Sequence, residues 1–300
     1  MNHALFRTLG IAALWTAAHT AQAIVIQFDY TYDSGGFFSS HPQAKTLLQT
    51  AGNFFGSRLT DHLAAITSST TNNFTASFTN PTTGNPVSLS NFSVAADTLK
   101  VYVGARNLGG TTLAEGGPGG YAVSYSDPTY FTTVSTRGQS GAPNTDFGPW
   151  GGTISFNDTV NWYFDPDPTT DEPFTGNDFY SVALHELGHL LGIGTAGSWD
   201  HWVSGTQFTG PASESVYGGP VPLSSGLSHW AEGVRGRVNG IPQEAAMDPT
   251  LTTGTRKRFT DLDLAALRDI GWQVSAVPLP GAVWLFGSGL VLLGGALRRR

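Results

Sequence analysis

The chain has 300 residues, of which 40% are hydrophobic, 12% aromatic and 12% charged, with 15 basic against 22 acidic side chains and no cysteine. A net charge of −7 argues against nucleic acid as a partner, the missing cysteine excludes a disulfide framework, and the normal aromatic share argues against a disordered chain. With 38 glycines the composition suits a loop-rich protein with many turns.

Residues 1–23 place Arg7 before an apolar stretch from Leu9 to Ala18 and close on Ala21-Gln22-Ala23. That order of charge, apolar core and small-residue site predicts a cleavable signal peptide, with a mature chain beginning near Ile24. With Arg7 and Arg298 to Arg300 set aside, 11 basic residues face 22 acidic ones, a net charge of −11 on the exported part.

Ile24 to Tyr30 alternates as a strand does. From Pro42 to Ile66 the residues Leu47, Leu48, Phe54, Phe55, Leu59, Leu63 and Ile66 follow helical spacing, with a break expected at Gly52 and Gly56. A sheet region follows, with strands predicted over Phe74 to Phe78, Val87 to Val94, Leu99 to Ala105 and Thr153 to Phe156, the last as an edge strand open to an extended peptide. Leu108 to Gly120, seven of whose thirteen residues are glycine or proline, reads as a loop. Asp165 to Pro173 reads as an acidic, solvated loop, in which Asp165, Asp167 and Asp171 are a weakly supported set of ligands for structural Ca2+.

Asn177 or Asp178 caps a helix carrying Phe179, Val182, Ala183, Leu187, Leu190 and Leu191, ending at Gly192 or Gly194. Inside it stands His185-Glu186-Leu187-Gly188-His189. Two histidines four apart share one helix face, so both imidazoles reach one zinc ion at about 2.0 to 2.1 Å. Glu186 follows the first ligand and sits beside the metal without ligating it, as a general base for hydrolysis must.

His185 to Gly192 resembles the metzincin pattern H-E-x-x-H-x-x-G-x-x-H, except that Thr195 stands at the position of the third histidine. Leishmanolysin-like metzincins insert a segment before a distant third histidine, and that resemblance implies His229, in Leu227-Ser228-His229-Trp230, as the third ligand. His201, in Trp199-Asp200-His201-Trp202, is the rival, and Asp200 a weaker one. Met247, before the turn dipeptide Asp248-Pro249, resembles the Met-turn that floors a metzincin zinc site. Thr260 to Ile270 reads as a closing helix, with Thr260 and Asp263 approximating a capping box and Gly271 ending it. The resemblance runs from the active helix to Trp272 and implies an α+β, metzincin-like, two-lobed zinc peptidase with a twisted upper sheet and an irregular C-terminal lobe. Tyr217 is a weak candidate for helping to stabilise an oxyanion.

Leu279 to Leu297 is apolar apart from Ser288, and at about 1.5 Å per residue it spans roughly the 30 Å of a bilayer core before Arg298, Arg299 and Arg300. Val277-Pro278-Leu279-Pro280, this span and the terminal arginines resemble a PEP-CTERM sorting signal, with Leu279 where that family usually has glutamate. The resemblance implies processing by an exosortase-type enzyme and a transient stay in the inner membrane; a permanent anchor is the alternative.

The chain is thus expected to comprise a signal peptide (1–23), a metallopeptidase domain (24–276) and a sorting signal (277–300). The expected product is an exported Zn2+-dependent endopeptidase at the cell surface, with Glu186 as general base and a protein or peptide as substrate. A catalytically inactive zinc-binding matrix protein and a zinc amidase acting on cell-envelope polymers are the rival readings.

Overall fold

The structure, a computed structural model, describes residues 24–139 and 145–275. The expected signal peptide and sorting signal lie outside the described residues; among the described residues no helix is long and apolar enough to cross a membrane.

The chain enters as β1 (Val25–Asp29), passes the short helix α1 (Phe37–Ser40) and continues as α2 (Pro42–Gly56), whose Pro42 sits in the first turn, where a missing N–H costs no helical bond. Strands β2 (Asn73–Thr79), β3 (Pro86–Leu89) and β4 (Thr98–Arg106) come next, then β5 (Ala114–Pro118) and β6 (Gly120–Ser124), separated by one residue. Helix α3 (Pro128–Thr136), capped by Asp127, precedes β7 (Gly151–Asn157), and the small strands β8 (Trp162–Tyr163) and β9 (Asn177–Asp178) lead into α4 (Phe179–Leu190). Beyond it lie α5 (Gly197–Asp200), β10 (Val203–Ser204), β11 (Gln207–Phe208), α6 (Pro211–Tyr217) and β12 (Val221–Pro222). The hairpin of β13 (Arg235–Val238) with β14 (Ile241–Glu244) and the helix α7 (Asp261–Asp269) complete the described chain. The architecture is mixed α+β.

The principal sheet has the order β1-β4-β7-β5, with β1, β4 and β7 parallel and β5 antiparallel at one edge. Leu99, Val101, Val103 and Ala105 alternate along β4 and join the core built by α2 and α4, whereas Tyr102 joins a second core with Phe74, Phe78, Phe92 and Trp150 under the β3-β2-β6 sheet. Both faces of β4 are therefore covered along its middle. The first core continues past α4 to Phe208, Trp230, Met247 and Leu262, so the long segment after α4 is packed against the same interior as the sheet.

Three expectations are corrected here. Gly52 does not break α2, which runs on and ends at Gly56, where the sequence also placed a break: a Cβ at Gly52 would lie 2.9 Å from the Phe28 ring and one at Gly56 2.5 Å from the Ile24 carbonyl oxygen, so this glycine pair lets the helix lie close against β1. Residues 108–120 are not all loop, because Ala114–Pro118 forms a strand paired with β7. Thr153 to Phe156 is accordingly an inner strand flanked by β4 and β5, and the edge belongs to β5.

Candidate metal centre

Helix α4 is set by its cap. The Asp178 carboxylate accepts from the Ser181 N–H at 3.1 Å, satisfying a donor of the first turn, and the same carboxylate receives Arg256 at 2.9 and 3.0 Å. Eleven of its twelve residues are buried, so the helix is an interior one and its histidines project into a cleft rather than into bulk solvent.

His185 and His189 share one face, and His229 meets them from the stretch between β12 and β13. The three Nε2 atoms stand 2.9 to 3.1 Å apart. Nδ1 of His185 donates to the Ala246 carbonyl at 2.7 Å, and Nδ1 of His189 to the Ile193 carbonyl at 2.7 Å. A carbonyl only accepts, so the proton sits on Nδ1 in both rings and each Nε2 offers its lone pair inward. Nδ1 of His229 lies 3.0 Å from Ser228 Oγ. Burial pushes the His185 pKa down to about 4, holds that of His189 well below its usual 6.5 and lowers that of His229, so all three rings are neutral donors at neutral pH. Three neutral nitrogens aimed at one point fit a single cation, with zinc–nitrogen bonds of about 2.0 to 2.1 Å. The chemistry of the donor set thus fits the expected metal.

Glu186 is 5% exposed, and among the described residues its Oε2 has no hydrogen-bond partner. Burial, helped by the charge of Glu115, raises its pKa to about 8. It lines the cleft of about 1040 Å³ together with the three histidines, Leu113, Gly116 and Leu251. Gly116, in the middle of β5, leaves room for it: a Cβ there would lie 2.9 Å from both Cβ and Oε2 of Glu186.

Two other glycines explain how the ligands converge. Gly194 adopts φ +72°, and a Cβ on it would come within 2.1 Å of the Ser228 carbonyl oxygen, so the chain leaving α4 and the segment delivering His229 cross in contact. At Gly188 a Cβ would sit 2.4 Å from Met247 Sδ, which places the fully buried Met247 directly against the helix turn between the two histidines. Thr195, where a compact motif would carry its third histidine, donates instead to the His189 carbonyl at 2.6 Å.

The remaining candidates fall elsewhere. His201 is exposed and rests against the Trp202 ring, Asp200 is also exposed, and Tyr217 is exposed and outside the cleft lining. Asp165, Asp167 and Asp171 do not gather around a common point, and the calcium expectation is corrected: Asp165 pairs with Arg256 at 2.5 Å, Asp171 pairs with Arg258 at 2.6 Å, and Asp167 caps its own turn through Thr169. Arginine fills the role a cation would have had. A second convergence of carboxylates, Glu232, Glu244 and Asp248, already contains the Lys257 ammonium, 2.9 Å from both Glu244 and Asp248.

The sequence reading missed the contribution of β5 and the carbonyl of Ala246. The first was hidden by glycine and proline, which weaken every strand signal. A backbone carbonyl leaves no side-chain signal at all. Comparison with protein families, curated proteins and solved structures finds no match to this chain.

Proposed function

We propose that the chain is a zinc-dependent endopeptidase of metzincin-like arrangement, holding its ion through His185, His189 and His229. The observation that carries this reading is the convergence of three imidazole Nε2 atoms beside a buried glutamate with an unpaired oxygen, on the floor of a cleft bounded by an edge strand. Zinc bound by three protein ligands keeps a position open for water and substrate, polarises a carbonyl and lowers the pKa of water to about 7.

The chain's own groups supply the rest. Among the described residues Glu186 Oε2 has no hydrogen bond to give up, so this oxygen would accept the proton of the attacking water and the carboxyl would return it to the leaving amine. With an ion held by His185, His189 and His229, the burial that raises the Glu186 pKa would be counteracted, and the ionised base would be favoured. β5 ends the sheet and lines the cleft, so an extended peptide can add to its free edge and lay its backbone past Glu186. Met247, packed against Gly188, holds the floor.

A purely structural zinc site usually closes four protein ligands around the ion, whereas this group among the described residues contains three and faces a cleft. That favours turnover over the inactive-matrix reading, and the groove beside β5 favours peptide over other amides. The signal peptide and sorting tail read from the sequence would carry the enzyme out of the cell and to an exosortase-type processing step.

The test is cleavage of an unfolded protein by the purified chain. We expect cleavage that stops with chelator and returns with zinc, while Glu186→Gln keeps its metal and loses about 10²- to 10⁴-fold in rate. His229→Ala should lose metal and activity together, and His201→Ala neither. Cleavage that survives chelation or Glu186→Gln would refute the assignment.

A further inference from the structure

Asp263 lies on α7 and touches none of the three histidines, yet its fully buried carboxylate receives five hydrogen bonds. Two come from Thr260, through its backbone N–H at 2.8 Å and its hydroxyl at 2.7 Å, and belong to the capping box of the helix. The other three leave the helix. Ala246 N–H donates to Oδ2 at 2.9 Å, Met247 N–H to Oδ1 at 3.2 Å, and the Trp230 indole N–H to Oδ1 at 2.9 Å.

Those three donors adjoin the metal-ligand group. Ala246 is the residue whose carbonyl accepts from His185 Nδ1, Met247 is the side chain packed against Gly188, and Trp230 directly follows His229. The backbone N–H of Trp230 donates to the Met247 carbonyl at 3.0 Å, which ties the two segments together beside the same carboxylate. A helix cap needs only the Thr260 bonds; the three additional donors, all in segments that carry or orient ligands, point to a second task.

We infer that Asp263 is a positioning residue for the metal centre, fixing the His229 segment and the Ala246–Met247 turn to α7 so that the three Nε2 atoms stand at one spacing before any ion arrives. The inference rests on the metal-site reading. It predicts that the cost of losing this carboxylate appears in metal affinity, because outer-shell partners that fix ligand orientation typically contribute about 10- to 100-fold to affinity. An amide in its place is nearly isosteric, but its NH2 is a donor turned toward donors.

The experiment measures Co2+ and Zn2+ dissociation constants of the full chain by competition with a chromophoric chelator, together with the Co2+ absorption spectrum. The variants are Asp263→Asn, Trp230→Phe and, as a control of stability alone, Asp269→Asn. Asp269 caps α6 through Ala212 and Ser213 from the other end of the same helix, without contact to the ligand segments. We expect Asp263→Asn to weaken both metals about 10- to 100-fold and to change the Co2+ spectrum. Trp230→Phe, which deletes one bond and keeps the packing, should weaken binding several-fold, and it carries the test if Asp263→Asn does not fold. Asp269→Asn should lower the unfolding temperature with affinity kept. Wild-type affinity and spectrum in Asp263→Asn, or in Trp230→Phe where only that variant folds, would overturn the inference while leaving the metal site standing. Equal affinity losses in the Asp263 and Asp269 variants would overturn it too, by reducing it to stability. A wild-type chain that binds neither metal would overturn the site reading itself, and this inference with it.

Discussion

Glu186 is the residue where folding and the proposed chemistry conflict most directly. A carboxyl whose ordinary pKa is 4.5 is held neutral to about pH 8 by burial in the metal-free protein, so the folded chain binds this proton far more tightly than the unfolded chain does. The sign follows: the stability linked to this proton is fully present below about pH 4.5 and is lost progressively as the pH rises to about 8. Glu186→Gln removes the titration, so the metal-free variant should gain on metal-free wild type in urea unfolding between pH 5 and pH 8.5. A difference between the two that stays constant with pH would show that Glu186 is not buried as described. The histidines behave in the opposite sense. Burial depresses the His185 pKa to about 4 from 6.5, so its share of stability is present above pH 6.5 and lost as the pH falls toward 4. His185, Glu186 and His189 were legible in the sequence because their spacing is local, four residues being about one helical turn. His229 was reached through resemblance, since no local spacing relates a residue 40 positions away to His189.

At the scale of elements, the pairing of α4 with β5 decides whether Glu186 has room to act. The prediction is that Gly116→Ala, which places a Cβ 2.9 Å from Glu186 Oε2, keeps the fold and bound metal but lowers the cleavage rate by about 10²-fold, since a misplacement of about 1 Å costs that much. Full activity in Gly116→Ala, measured with metal content and circular dichroism, would mean that β5 yields freely and does not shape the site. Elements with strong periodicity were readable: α2 from its apolar spacing, α4 and α7 from their caps, and β4 from its alternation. β5, β6 and α3 were not. The first runs through Gly116, Gly117 and Pro118, β6 begins directly beyond Gly119, and α3 has little apolar face, with Val134 its one buried side chain. Such segments take their structure from the neighbours they pair with, and that information is not local.

Across the whole molecule, a chain without cysteine is held by packing and by buried ion pairs between distant segments. Arg256 joins the segment before α7 to Asp165 and Asp178, both fully buried, and so fastens the acidic loop to the start of the helix that bears the first two histidines. Arg256→Ala would leave those carboxylates without their partner and should destabilise the protein by about 3 to 5 kcal/mol in urea unfolding. A loss under about 1 kcal/mol would show that water replaces the guanidinium at no great cost. The helix with its two histidines and glutamate, the closing helix and the order of the main elements were written in local patterns of periodicity and capping, and the expectations of export and hydrolysis rest on local patterns of the same kind. The meeting of His229 with the two helix histidines, expected only through resemblance, the edge role of β5 and the use of Asp165 and Asp171 on arginines instead of calcium belong to the folded chain. Each of these depends on which residues meet across long separations, and those meetings are settled by packing the whole core, with Gly194 against Ser228 and Gly188 against Met247, not by any short stretch of sequence.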